Sequence, residues 1–510
     1  MKRPRQRQGE RQGQRLQPGR LARLDQRHVW HPFTQMRDWM REEPIVVVGG
    51  RGARLKDARG RSYLDANSSI WTNLHGHRHP RLDAAMQAQL RRIAHSSSLG
   101  LANEPAALLA RELVQAANPP ARRGLVPPAV VALALSRVFF SDDGSTAMEV
   151  ALKLAYEFGR RTRGLKHPRF LSLQGAYHGD TVGAVSVGHI DLFHRAYAGL
   201  LFKSDRVMAP YCYRCPFNRA KPERADAREY RRCGWECVGQ VERRLAVKQK
   251  TGEPYAALVV EPRLQGAAGM IAQPTGWLRE VAALARAHGA LIIADEVMTG
   301  FGRTGVGWSG EPPTPAQAVA GRRRRASLFA SPQEGVQPDF LVLAKGLTGG
   351  YLPMAATLTT ESVFSAFLGR YEEFKTFFHG HSYTGNQLGA AVARGSLELL
   401  RSPQSIAARA SLELGMTREL QSLWGLAGVG DIRQVGLVAG IELVEDWPTR
   451  KPYPLRARAG MRVCAAMARR GVLTRPIGNV LVLMPPYCTT AAQLRRMVGA
   501  MGEAIEEVLG

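Results

Sequence analysis

From about Pro80 onward the chain alternates amphipathic stretches with short apolar runs, at 137–140, 170–173, 257–260, 290–294 and 340–343. Short buried runs set between helical periodicities predict βαβ units on a mostly parallel central sheet flanked by helices, an α/β fold. After Asn386 the pattern changes to helices with a few short strands, at 437–443 and 480–484, which predicts a smaller α+β domain. Two stretches break the rhythm. Residues 119–128 are rich in Pro and Arg and read as an exposed loop, and residues 309–336 lack a hydrophobic period and read as a surface insertion. Residues 1–24 are too polar and too charged to bury anything, which predicts a disordered basic tail.

Composition changes this picture little. No apolar run reaches the roughly 18 residues that a membrane helix needs, and the basic N-terminus has no apolar segment of a secretory signal. A cytoplasmic protein is the expectation. The formal charge of +27 and the run from Arg322 to Arg325 raise nucleic-acid binding. The arginines are scattered, however, and no zinc-finger, RNA-recognition or helix-turn-helix signature accompanies them, so a solvated basic surface is the reading. Cys212 and Cys215, with Cys233 and Cys237, have spacing compatible with a structural tetrahedral zinc site. The alternative is four reduced thiols in a surface excursion.

In an open α/β sheet, ligands bind beyond the carboxyl ends of the strands, so polar residues following the apolar runs carry the candidate chemistry. Ser141-Asp142-Asp143-Gly144-Ser145-Thr146 opens a helix and could present backbone amides to a phosphate. Tyr177, in Tyr177-His178-Gly179-Asp180, could stack on a planar cofactor. Asp295 ends an apolar strand, where a carboxylate can keep a ring nitrogen protonated. Lys345 ends another, where burial lowers an amine's pKa toward what imine formation requires. Each has a bland alternative as a helix cap, a core tyrosine, an ion-paired aspartate or an edge lysine.

The phrase Asp295-Glu-Val-Met-Thr-Gly-Phe-Gly-Arg303-Thr-Gly305, with Pro338-Asp339 and Ala344-Lys345-Gly-Leu-Thr-Gly-Gly350, resembles the signature of the class III aminotransferases. Within them, His28-Val-Trp-His-Pro-Phe-Thr-Gln-Met36, Ser68-Ser-Ile-Trp71 and Thr474-Arg-Pro-Ile-Gly478 resemble the 7,8-diaminopelargonate synthases of biotin synthesis. Those enzymes aminate 8-amino-7-oxononanoate, usually from S-adenosylmethionine. The resemblance implies a fold-type-I pyridoxal-phosphate enzyme working as a homodimer on a small-molecule amino donor and a keto-acid acceptor. Residues 25–79 would contribute to the small domain, 80–385 would form the large cofactor domain and 386–510 the C-terminal small domain. Lys345 would be the Schiff-base lysine, Asp295 the partner of the pyridine nitrogen and Tyr177 the residue on the ring. Gly144 and Ser145 would hold the phosphate, with Ser382 reaching it from a neighbouring subunit, and Gly380 would be among the substrate-binding residues. Arg475 would bind the substrate carboxylate, Arg303 would lie close by, and Phe33 and Trp71 would line the pocket. Phe33 in place of Tyr, and Ile70 in place of a second Trp, resemble a subset of synthases that use lysine as donor. Met298 stands where ornithine- and γ-aminobutyrate-type relatives carry Gln, and a thioether cannot donate that hydrogen bond. The rival functions are a class III ω-aminotransferase acting on another diamine or ω-amino acid and, more remotely, a non-catalytic nucleic-acid-binding homologue.

Overall fold

The computed structural model describes residues 17–118, 133–306 and 327–510. Its centre is a seven-stranded sheet in the order Leu135–Ser141, Ala355–Thr360, Phe340–Leu343, Leu291–Asp295, Tyr255–Val260, Arg169–Leu173, Asp205–Val207. Strands Phe340–Leu343, Leu291–Asp295, Tyr255–Val260, Arg169–Leu173 and Asp205–Val207 pair in parallel. Ala355–Thr360 runs antiparallel to both of its neighbours, so the expected mostly parallel sheet is present with one reversed strand. The runs are continuously apolar because helices cover both faces; all six residues of Tyr255–Val260 are buried.

Helices Gly144–Arg163 and Trp277–Ala287 pack against this sheet in two separate clusters that share no residue. The first opens with a capping box: Asp143 accepts from the Thr146 amide and Thr146 Oγ1 accepts from the Asp143 amide, while Gly164 closes it at φ 64°. A second antiparallel sheet contains Val429–Val435, Val438–Asp446, Val480–Leu483 and Pro476–Ile477. The N-terminal strands Val47–Arg51, Arg54–Asp57 and Ser62–Asp65 form a third sheet, completed in parallel by Val472–Leu473 from near the other end of the chain.

Three expectations change. Pro18–His28 is a helix with Ala22 buried, so order begins within the stretch expected to be a tail; residues 1–16 lie outside the described residues. The expected insertion at 309–336 is shorter, because Leu328, Phe329 and Ala330 are core residues. Buried Glu296 fixes them by accepting the Ala330 amide and, at 2.7 Å, the Ser331 amide. The rest of that stretch within 307–326, the arginine run included, and the loop at 119–128 lie outside the described residues.

The cysteine segment is also built differently from the zinc expectation. Among the described residues no group of three or more His, Cys, Asp or Glu is arranged to hold a metal. Cys212 and Cys237 are buried, and burial raises their thiols to about 12 and about 11. Cys233 instead accepts from the Arg231 guanidinium at 3.3 Å, and Cys215 is partly exposed. Hydrogen bonds and an ion pair hold the segment: Arg450 reaches the Tyr213 and Ala220 carbonyls, and Arg214 pairs with buried Glu442 at 2.6 Å.

Candidate active site

The carboxyl ends of the parallel strands converge on one cavity of about 460 Å³, within the usual range for small-molecule sites. Trp71, Gly144, Ser145, Tyr177, Asp295 and Lys345 all line it. Lys345 follows the fully buried strand Phe340–Leu343, and Asp295 ends the neighbouring strand in register with Val342. Geometry therefore brings the amine and the carboxylate to adjacent strand ends.

Lys345 makes no hydrogen bond or ion pair among the described residues; its Nζ lies 4.8 Å from the centre of the Trp71 ring. Burial pushes its pKa below the usual lysine value, against the opposing pull of Asp295, Glu261 and Asp180. Asp295 is buried and doubly fixed: Oδ2 meets His178 Nδ1 at 2.7 Å and Oδ1 accepts the Val297 amide at 3.0 Å. Burial disfavours the His178 cation, but the hydrogen bond and charge of Asp295, with the charge of Glu261, outweigh it and raise its pKa. Burial raises Glu261 itself to about 7. That carboxyl accepts the Tyr177 amide at 3.2 Å and the Gly266 amide at 2.8 Å. The Tyr177 hydroxyl donates to Asp180 at 2.6 Å, and burial with that bond raises the phenol's pKa.

Gly144 and Ser145 are the first two residues of their helix, so their amides have no intrahelical acceptor. Gly179 sits against them at φ 117°, where a Cβ would fall 2.1 Å from Ser145 Oγ. The side chains thus leave an anion cradle open at a helix N-terminus. An amine with no hydrogen-bond or ion-pair partner among the described residues, a carboxylate on the adjacent strand end and that cradle together fit pyridoxal phosphate.

The other expected residues divide. Met298 lines the cavity with its sulfur packed toward Gly266, and Trp71 lies beside it. Phe33 and Arg475 do not line the cavity; they meet outside it, where Arg475 Nη2 donates to the Phe33 carbonyl at 3.0 Å and the Phe33 ring stands edge-on to Tyr177 at 6.4 Å. Gly380 and Ser382 are exposed and away from this chain's own cavity lining. Arg303 is a correction. It is 1% exposed and donates to the Pro485 and Asn73 carbonyls at 2.9 and 3.1 Å, beside the Tyr487 ring. A guanidinium committed to two backbone carbonyls is a clamp between chain segments and has no free donor fork for a substrate. Arg303→Ala is expected to destabilise by about 2–5 kcal/mol, since it leaves a cavity and unpaired carbonyls. Denaturant melts would register this; a variant with parental stability and a raised KM would restore Arg303 to the substrate pocket. Glu261 and His178 were missed by the sequence reading. Glu261 follows an apolar run as Asp295 does, and His178 adjoins Tyr177, so both carried the same strand-end signal.

A family model described as aminotransferase class-III matches residues 36–315 and 319–505. The chain is 44% identical over 490 residues to the adenosylmethionine-8-amino-7-oxononanoate aminotransferase of Geobacter sulfurreducens, spanning 96% of this chain and 98% of that protein. The crystal structure of the enzyme of that name from Methanocaldococcus jannaschii superposes with a TM-score of 0.80 at 36% identity, over 96% of this chain and 99% of that one. An amine transaminase from an uncultivated Pseudomonas species, solved in a PLP-bound form, gives 0.80 at 30% identity, over 94% and 99%. The strand-end lysine and carboxylate, the phosphate cradle and these matches agree, and the chain belongs to the class III aminotransferases.

Proposed function

We propose that this enzyme transfers an amino group from S-adenosylmethionine to 8-amino-7-oxononanoate, forming 7,8-diaminononanoate for biotin synthesis. The observation that carries the chemistry is the unpaired Lys345 amine facing the same cavity as the His178-bound Asp295 carboxylate. The names of relatives that match nearly the whole chain support the substrate pair.

Pyridoxal phosphate supplies a carbonyl that takes up the donor's amine and a ring that withdraws electrons from the substrate carbon. The Gly144 and Ser145 amides would hold its phosphate. Asp295, oriented by His178, would keep the ring nitrogen protonated, and Tyr177 would lie beside the ring. Lys345, its pKa lowered by burial, would take a proton from the donor's Cα as general base and, in the second half of the exchange, give one to the acceptor's former carbonyl carbon as general acid. Arg475, next to Phe33 outside the cavity lining, would receive the acceptor's carboxylate, since a planar guanidinium makes two parallel bonds to a carboxylate. Exposed Gly380 and Ser382 serve the site of a second copy in a homodimer.

Single-turnover spectra of the holoenzyme test this reading. S-adenosylmethionine should bleach the visible cofactor band, and 8-amino-7-oxononanoate should restore it. Bleaching by lysine alone would exchange the donor, in line with Phe33 and Ile70; bleaching by neither would favour an ω-aminotransferase of other specificity. Arg475→Ala should raise the KM for the oxononanoate by roughly 10- to 150-fold, the worth of a charged hydrogen bond, with the donor's KM little changed. Equal losses for both substrates would remove Arg475 from carboxylate recognition.

A further inference from the structure

At the cavity edge the backbone passes through four consecutive left-handed residues, with φ of 46° at Ser68, 49° at Ser69, 59° at Ile70 and 71° at Trp71. None is glycine. Each such residue costs about 1–2 kcal/mol, and a β-branched residue like Ile70 is the least suited to it. A conformation of this kind persists only where its surroundings over-determine it.

Asp65 provides most of that constraint. Its buried carboxylate accepts the Ser69 amide at 3.0 Å and the Ser69 hydroxyl at 2.9 Å, and Oδ2 also meets His77 Nε2 at 3.0 Å. His77 Nδ1 in turn meets Asn73 Nδ2 at 2.9 Å, which ties the far end of the turn to the same carboxylate. Ser68 Oγ donates to the Met484 carbonyl at 2.7 Å, fastening the start. Gly350, at φ 87°, closes the exit; a Cβ there would fall 2.9 Å from Asn73 Cα.

What the turn delivers is Trp71. Its ring stands against the Lys345 amine, and its indole N–H is buried without an acceptor among the described residues. Asp65 and His77 line no part of the cavity. We propose that Asp65, with His77, is a positioning residue for the transamination site, clasping the left-handed turn so that the Trp71 ring stays against Lys345. The proposal rests on the reading of Lys345 as the reactive amine. The clasped ring shields that amine from water and sets the wall along which the reacting carbon must lie.

A double-mutant cycle tests it. Asp65→Asn, Trp71→Phe and the double variant are compared by the single-turnover rate of cofactor bleaching, with S-adenosylmethionine, lysine or, if neither reacts, benzylamine. Asp65→Asn should slow bleaching about tenfold or more, and should slow it no further, within twofold, once Trp71 is Phe. The affinity of the apoenzyme for pyridoxal phosphate should change less than threefold. In 5-fluorotryptophan-labelled protein, the ¹⁹F line that Trp71→Phe removes should shift or broaden in Asp65→Asn while the others hold. Independent, multiplying effects in the cycle, or an unmoved Trp71 line, overturn the proposal. If Asp65→Asn does not fold, His77→Gln, which removes only part of the clasp, runs through the same cycle. Lys345→Ala in parallel separates the two readings: bleaching at parental rate there refutes the role of Lys345, whereas the ¹⁹F line reports on the clasp alone.

Discussion

Replacing Lys345 by Ala should abolish turnover, by at least about 10⁴-fold, and should leave the fold standing. A buried ammonium that anchored an ion pair would give the opposite result, since breaking a buried pair destabilises by about 3–5 kcal/mol. Lys345 has no such partner among the described residues; its contact with the Trp71 ring is worth about 0.5–2 kcal/mol. Removing an amine whose pKa burial has already lowered relieves a desolvation penalty, so the net change in stability should be small. Borohydride reduction of the holoenzyme, followed by peptide mass spectrometry, should fix the cofactor to Lys345 in the parent and to no residue in the variant. The pH dependence has a definite sign. Only the free amine attacks a carbonyl, so reconstitution of the apoenzyme should speed up as pH rises and level off below the usual lysine pKa of about 10.4. Turnover within tenfold of the parent would remove Lys345 from the mechanism.

The reacting pair was legible because a carboxylate or an amine directly after a buried apolar run has few reasons to be there. The same rule applied to Tyr255–Val260 finds Glu261. Other features left no such mark. Ala355–Thr360 is small and polar, and it reads as a strand only once both of its antiparallel neighbours are in place. Arg303 sits in a phrase shared with the cofactor site, yet its carbonyl partners lie 182 and 230 residues away, so a local motif could not show its burial. Phe33 and Arg475 meet across 442 residues for the same reason. The left-handed turn at Ser68 was invisible because Ser-Ser-Ile-Trp has neither the glycine nor the asparagine that usually marks positive φ. Cysteine spacing constrains chain separation alone, and among the described residues no group of three or more such ligands is arranged to hold a metal.

Asp295→Asn should lower kcat by two to four orders of magnitude with little change in either substrate's KM. The substitution is nearly isosteric, and an amide oxygen can still accept the Val297 amide now bound at 3.0 Å, so the backbone turn after the strand should survive. The negative charge is lost, and with it the means of keeping a proton on the cofactor's ring nitrogen. Loss of one partner from a buried charged pair is worth about 3–5 kcal/mol, which at about 1.4 kcal/mol per tenfold gives the stated range. His178 supplies a second readout. Asp295 raises its pKa in the folded state, so their pairing contributes stability that is full below the unfolded histidine value of about 6.5 and is lost as pH rises through the folded value. In the variant, burial wins and His178 becomes neutral more readily. The stability deficit of Asp295→Asn should therefore be larger at about pH 5.5 than at about pH 9. Urea melts at those two pH values, set beside kcat at one, separate the roles. A kcat within tenfold of the parent would deny Asp295 its place at the ring nitrogen, and a deficit independent of pH would mean that His178 is not held charged by this carboxylate.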